Sequence, residues 1–394
     1  MSRNGFVYLT IEAILAGFGG FILPIYVLYF RYYNITLFEV ALLAAVFETA
    51  VLISEIPTGL LADRFGRKLS VVLGFSCFTI SGLVFILFRN LTGFLVAEVL
   101  FGIAEAFISG AAEALAVDSI PGDDKQGSLQ RLYTRRSRIR IAVTAACMIV
   151  AGYAYSRDVS VTFYPVLLGG VAGLGASWFF VEIGHQHHDQ GARKFFAPLA
   201  LMFRRLEVSA VLKVLFVLAL TANFAFEAVD QYWQVLLSEL FEIDVKYFGY
   251  LTAAGAALAF FLVGPIVRRS KGQVSTSMLI LLLSGIIISS LPNAPAALIP
   301  YLLILYFVTK EMIAPLFSYT INSLIDSEGR ATFLSGFNLT CSIGEVAAGL
   351  LVGFIASRLG LPVVFVVGGS VLVLVVIAML FMSRPMFDKS ANPR

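Results

Sequence analysis

Glu12, Glu48, Glu55, Glu98, Glu105, Glu113, Glu227, Asp230, Glu311 and Glu345 all stand inside stretches built otherwise from apolar residues, where Lys310 is the one basic residue placed as deep. Glu48 and Glu55 are seven apart, as are Glu98 and Glu105, and Glu113 follows eight later, so on helices each set falls along one face. Glu227 and Asp230 share a face with Asn223, one turn earlier. An ionisable side chain in a membrane-spanning helix costs at least about 2.5–3.5 kcal/mol near the helix centre, so its retention points to a function. Burial in a low dielectric favours the neutral form of a carboxyl. A group that takes and releases a proton as its surroundings change is what proton coupling requires. Ionised, the same acids attract cations, and Tyr8, Tyr26, Tyr232 and Trp233 would each add cation–π attraction of about 0.5–2 kcal/mol if they faced the same space. Acids with aromatic walls suit amphipathic or cationic small molecules. Plainer roles exist for some of them. Glu39 starts a helix and favours its dipole, Glu113 and Asp118 lie close enough to one membrane face to pair with basic loop residues, and Glu311 can neutralise Lys310, although adjacent helical residues do not share a face.

The elements that must hold these groups are membrane helices. Hydrophobic residues form 59% and charged residues 13% of the 394 positions, against about 25% charged in a soluble domain, and the mean hydropathy is +0.89. Apolar stretches long enough to span a bilayer lie near 6–30, 37–61, 69–88, 92–117, 139–156 and 161–182, and again near 210–236, 244–267, 274–292, 297–322, 333–357 and 361–383. The expected fold is therefore an all-α membrane protein of twelve transmembrane helices in two six-helix bundles. Residues 1–182 form the first, 183–209 a cytoplasmic linker, and 210–394 the second bundle with a short tail. Lys and Arg are retained on the cytoplasmic side. Placing both termini there leaves only Arg31, Arg89, Arg157, Lys246 and Arg358 outside, and puts the run Arg131 to Arg140 inside. The net charge of +3 is too small to suggest nucleic acid as a partner. Arg193 to Leu206 reads as a helix lying at the inner lipid surface. His185, His187 and His188 just before it make at best a weak metal site, so no metal and no cofactor is expected. Cys77, Cys147 and Cys341 lack any ligand or redox spacing and read as packing residues. A faint repeat relates the segment from Thr58 to that from Val263, with Gly59 matching Gly264.

The segment "TGLLADRFGRK", Thr58 to Lys68, follows the second span. Twelve spans in two sixes with this cytoplasmic G-x-L-A-D-R-x-G-R-K resemble the major facilitator superfamily of secondary transporters, in its drug/proton antiporter-like branches, and the resemblance covers essentially the whole chain. It implies that the first, fourth, seventh and tenth helices line a central pathway. Glu12, Glu98, Glu105, Glu227, Asp230 and Glu311 are then candidates for proton coupling or substrate contact. It also implies a cytoplasmic gate formed by Gly59, Asp63, Arg64, Gly66, Arg67 and Asp118. Asp63 would face the positively polarised amino end of the eleventh helix near Thr332 and Phe333, the two glycines would admit close backbone approach, and Arg67 would reach Asp118 at the inner end of the fourth helix. Orientation alone would explain the three basic residues, but not Asp63 or the glycines.

Two features depart from the drug-exporting pattern. Those branches often carry an arginine four residues before a glycine of the fourth helix, and here Glu98 precedes Gly102. They also tend to carry a Gly-Pro pair in the fifth helix, which "RIAVTAACMIVAGYAY", Arg140 to Tyr155, lacks. The leading expectation is an alternating-access transporter that exports a lipophilic or cationic small molecule in exchange for protons, working as a monomer in a bacterial inner or plasma membrane. The alternative is a proton-coupled importer of a nutrient or chelate, and a membrane sensor or lipid-handling protein stands further off. No G-x-S-x-G, H-E-x-x-H or phosphate loop occurs, so neither an enzyme nor ATP coupling is expected.

Overall fold

The computed structural model describes residues 2–120, 125–182, 202, 204, 205, 209–270, 274–325 and 330–390, without the side chains of 323, 330–332 and 383–390. Its regular structure is helical: α1 (Arg3–Ile22), α2 (Tyr26–Tyr32), α3 (Leu37–Phe65), α4 (Arg67–Leu87), α5 (Leu91–Asp118), α6 (Lys125–Arg157), α7 (Tyr164–Ser177), α8 (Ala210–Val235), α9 (Phe248–Ser270), α10 (Val274–Ser290), α11 (Ile299–Leu324), α12 (Arg330–Leu359) and α13 (Leu361–Ser390). Among the described residues, twelve helical segments are long and apolar enough to cross a membrane. Side-chain caps start several of them. The Ser2 hydroxyl accepts from the Gly5 N–H at α1, Thr36 and Glu39 form a reciprocal capping box at α3, and Asn90 accepts from the Gly93 N–H at α5, each satisfying amides that have no partner within the helix.

Two spans differ from expectation. The first is interrupted at Leu23–Ile25, between α1 and α2, because Pro24 has no N–H to continue the ladder. The fifth begins at Lys125 rather than near 139. Arginine and leucine are good helix formers, so the basic stretch expected in a loop is helical. The linker expected over 183–209 lies largely outside the described residues, including its three histidines. Of the surface helix expected over Arg193 to Leu206, Met202 is buried and takes a hydrogen bond from the Thr340 hydroxyl at 3.6 Å, while Arg204 and Arg205 are exposed.

The chain divides into two compact units, Met1–Gln190 with Ile243–Ala253, and Gly191–Glu242 with Ala254–Arg394. In the first, α5 packs on α3 and α4, α1 on α6 and α7, and α4 on α7. The segment 243–253 joins it by packing on α6, where an added Cβ at Gly152 would stand 2.7 Å from the Val245 carbonyl oxygen. An aromatic cluster of Tyr29, Phe30, Phe85, Phe94 and Phe163 fills one end of this unit, with the Phe85 and Phe163 rings stacked at 3.8 Å. Buried Tyr29 satisfies its hydroxyl on the Phe85 carbonyl at 2.9 Å. In the second unit α8 packs on α12 and α13, and α10 on α11 and α13. The third and sixth spans of each unit thus pack together. The α10–α13 crossing is glycine on glycine, since a Cβ at Gly369 would meet the Gly285 carbonyl oxygen at 2.5 Å. Asn34 (φ 61) and Glu242 (φ 52) both adopt left-handed backbone at the turns that follow the first and seventh spans.

Candidate functional site

Two clusters of charged side chains lie within the spanning helices, one in each unit. In the first, Glu12 of α1 is 5% exposed and pairs with Arg136 Nε at 3.0 Å and Arg140 Nη1 at 2.8 Å. The two arginines sit one turn apart on α6 and so present one face to α1. Arg136 also reaches Glu113 of α5 at 3.3 Å, and Glu113 accepts from the Tyr133 hydroxyl at 2.7 Å and the Tyr8 hydroxyl at 3.4 Å. The Arg136 guanidinium lies 5.6 Å from the centre of the Tyr8 ring. Two acids face two arginines, and formal charge balances. Sequence reading places Arg136 and Arg140 in a cytoplasmic basic run; in the structure that run lies on α6, whose helical course turns both onto Glu12.

Glu98 of α5 is 2% exposed and accepts from the Tyr26 hydroxyl at 2.5 Å. Tyr26 is the first residue of α2, so this bond fastens the segment beyond the Pro24 interruption. Glu105, two turns along the same face, is exposed, as is Glu48 on α3; the acidic stripe on α5 is therefore buried at one end and open at the other.

In the second unit Asp230 of α8 pairs with Lys310 Nζ of α11 at 2.6 Å and accepts from the Tyr306 hydroxyl at 3.1 Å. Tyr306 and Lys310 are one turn apart and share a face. Glu227 accepts from Gln231 Nε2 at 2.8 Å, and Glu345 of α12 accepts from Asn223 Nδ2 at 3.0 Å. A Cβ at Gly349 of α12 would stand 2.6 Å from Gln231 Nε2, so a glycine there makes room for the Gln231–Glu227 bond. Among the described residues of this cluster Glu227, Asp230 and Glu345 accompany one cation, Lys310. The neutralising partner of Lys310 is Asp230 rather than Glu311, which projects from another face and is exposed. Tyr306, Gln231 and Gly349 do not stand out in the sequence, although the four-residue step from Tyr306 to Lys310 is a readable signal. Of the four aromatic residues singled out in the sequence, Tyr8, Tyr232 and Trp233 are 1%, 0% and 3% exposed, packed among helices, and Tyr26 is half-buried.

At the charged segment between α3 and α4, Arg67 Nη1 pairs with Asp118 Oδ2. Glu182 adds a partner that sequence reading misses. Its carboxylate accepts the backbone N–H groups of Arg67 and Lys68 at 3.1 and 2.8 Å, capping the positively polarised start of α4. Lys68 Nζ donates to the Trp178 carbonyl at 2.8 Å. Gly66 has φ 105, a conformation that strongly disfavours side-chain-bearing residues. The glycine at 66 answers a turn, and at Gly59 an added Cβ would meet nothing within 4 Å. Asp63 and Arg64 are exposed. Among the described residues no group of three or more His, Cys, Asp or Glu could hold a metal ion, and Cys77, Cys147 and Cys341 carry free thiols.

Comparison with known proteins places this geometry in a family. The family model described as Major Facilitator Superfamily matches residues 9–344. The uncharacterized MFS-type transporter YxaM of Bacillus subtilis (strain 168) is 25% identical over 364 residues, 88% of each chain. Multidrug resistance protein 2 of the same organism is 31% identical over 114 residues, covering 29% of this chain and 28% of that protein. A crystal structure of the nucleoside transporter NupG superposes with a TM-score of 0.75 at 12% identity, covering 97% of this chain and 99% of the other.

Proposed function

The chain belongs to the Major Facilitator Superfamily, an assignment to transport rather than catalysis, and from that premise we propose a proton-coupled secondary transporter that takes up a polar small molecule by alternating access. It is an integral, multi-pass membrane protein, and its full-length relative YxaM is bacterial. The observation that carries the proton reading is the charge imbalance in the second unit. Among the described residues, three carboxylates, Glu227, Asp230 and Glu345, stand near one cation, Lys310, which pairs with Asp230, and uncompensated charge inside a membrane protein is costly. A proton lessens that imbalance, and Glu227, whose carboxylate is held by the neutral amide of Gln231, is the group assigned to carry it. In the first unit Glu12 and Glu113 are matched in ion pairs by Arg136 and Arg140.

Uptake of a polar solute is supported by the mixed charge of both clusters. Export of a lipophilic cation rests on acids without internal partners, and Glu12 and Asp230 have them. The acid Glu98 in place of the arginine common to drug exporters weakens that reading further. Export remains the second reading because of the partial identity with Multidrug resistance protein 2. Glu105 and Glu311, both exposed on spanning helices, are assigned to solute contact. Arg67 and Asp118, with Asp63, Arg64 and the turn at Gly66, are assigned to a cytoplasmic latch, with both termini on that side and one chain sufficing for function. Reconstitution in liposomes with a proton gradient of either sign tests the direction. Accumulation of polar solutes with inward proton flow is expected; solute movement only against the proton flow would replace uptake with export, and flux indifferent to the gradient would remove proton coupling.

A further inference from the structure

A cavity of about 430 Å³ opens in the first unit where the start of α1 meets the end of α5 and the beginning of α6, with Ser2, Ile120, Ser128, Arg131, Leu132 and Arg135 among its lining residues. Arg131 and Arg135 are one turn apart on α6 and both exposed, so they project from one face. They stand beside the acid–arginine cluster, which is built on Arg136 and Arg140 further along the same helix. Arg131 Nη2 donates to Ser128 Oγ at 2.9 Å, which fixes one edge of its guanidinium, and a guanidinium with five N–H donors can serve a serine and an oxyanion together. Ser2 is anchored by the Gly5 N–H at 3.1 Å and by Ser119 Oγ at 2.6 Å, holding the positively polarised start of α1 at the same wall. Leu132 is 4% exposed and, with Ile120, supplies an apolar floor.

We infer that this cavity binds a phosphate group, carried by the headgroup of an anionic lipid or present as free phosphate. Paired guanidiniums match phosphate oxygens in bidentate geometry. The space is far larger than bare phosphate fills, and its apolar floor suits the glycerol carbons of a headgroup. Basic pockets between spanning helices on the cytoplasmic side are suited to such headgroups, and the orientation proposed above puts this one there. The inference is independent of the transported solute, so binding is measurable whether or not any flux is found.

The test uses the purified full-length protein in a neutral detergent, titrated with phosphatidylglycerol, with phosphatidylcholine of the same acyl chains, and with inorganic phosphate at constant ionic strength. Binding is read by native mass spectrometry and by the thermal midpoint. Saturable binding of phosphatidylglycerol but not phosphatidylcholine is expected, weakened about tenfold or more by Arg131→Gln with Arg135→Gln, since a hydrogen bond to a charged group is worth about 1.5–3 kcal/mol. The pair Arg268→Gln with Arg269→Gln, equally basic and exposed in the second unit, should leave it unchanged. Phosphatidylglycerol binding that inorganic phosphate does not displace identifies the lipid as occupant, and an equal effect of inorganic phosphate identifies the free ion; both support a phosphate site. Should the double variant fail to fold, Ser128→Trp fills the cavity and must abolish the same binding. Equal affinity in wild type and variants, or no saturable binding of either phosphatidylglycerol or inorganic phosphate, overturns the inference.

Discussion

Asp230 and Lys310 have side chains 31% and 37% exposed, so breaking their pair should cost less than the 3–5 kcal/mol of a fully buried one, about 1–3 kcal/mol. Asp230→Asn is expected to lower the thermal midpoint and transport together, and Asp230→Asn combined with Lys310→Met to recover most of the midpoint but not the transport. Recovery of neither would mean that the pair is not what couples these two positions. Glu227 gives the pH prediction. With the proton carried there, uptake rises as the outer side is acidified, because loading requires the protonated carboxyl, and Glu227→Gln flattens that dependence while solute binding persists. A variant whose uptake still follows acidity as the wild type does would move the proton elsewhere. At this scale the sequence is legible in part. The acids in apolar stretches stand out by cost alone, but their partners do not. Glu12 meets Arg140 across 128 positions of chain, and such a contact depends on which helices become neighbours and how each is rotated, neither of which spacing along one helix reveals.

The helices themselves are more readable, because twenty or so apolar residues in a row leave few alternatives. Errors fall where hydropathy gives no signal: α6 runs through a basic stretch that helix propensity sustains, and the first span breaks at a proline inside an apolar run. Glycines show why composition alone misleads. A Cβ at Gly369 would stand 2.5 Å from the Gly285 carbonyl oxygen and from the Ser289 nitrogen, backbone atoms with little freedom to yield. Gly369→Ala should therefore destabilise by about 1–3 kcal/mol, whereas Gly59→Ala, facing open space, should leave the thermal midpoint unchanged. Gly66→Ala should cost about 1–3 kcal/mol for its backbone alone and disturb the Arg67–Asp118 pair next to it. Equal midpoints for all three variants would count against these assignments.

For the whole molecule, the division into two units with matching third-to-sixth helix packing agrees with a family in which repeats rock about a site near the membrane midplane. The orientation proposed from Lys and Arg is open to direct measurement, in a background lacking Cys77, Cys147 and Cys341. A cysteine replacing exposed Arg64 should react with an impermeant thiol reagent only in inside-out vesicles, and one replacing exposed Arg157 only in right-side-out vesicles. The reverse pattern would invert the topology and place the charged latch outside.

Glu242 holds a left-handed backbone (φ 52) in a conformation that the asparagine at its counterpart, Asn34 (φ 61), tolerates better. For a residue of its kind that conformation costs about 1 kcal/mol, so Glu242→Asn offers the experimentalist a sturdier protein at a position outside both acid clusters. A transporter hardened at one corner in this way would survive purification longer, and would give each of the measurements above a more forgiving sample.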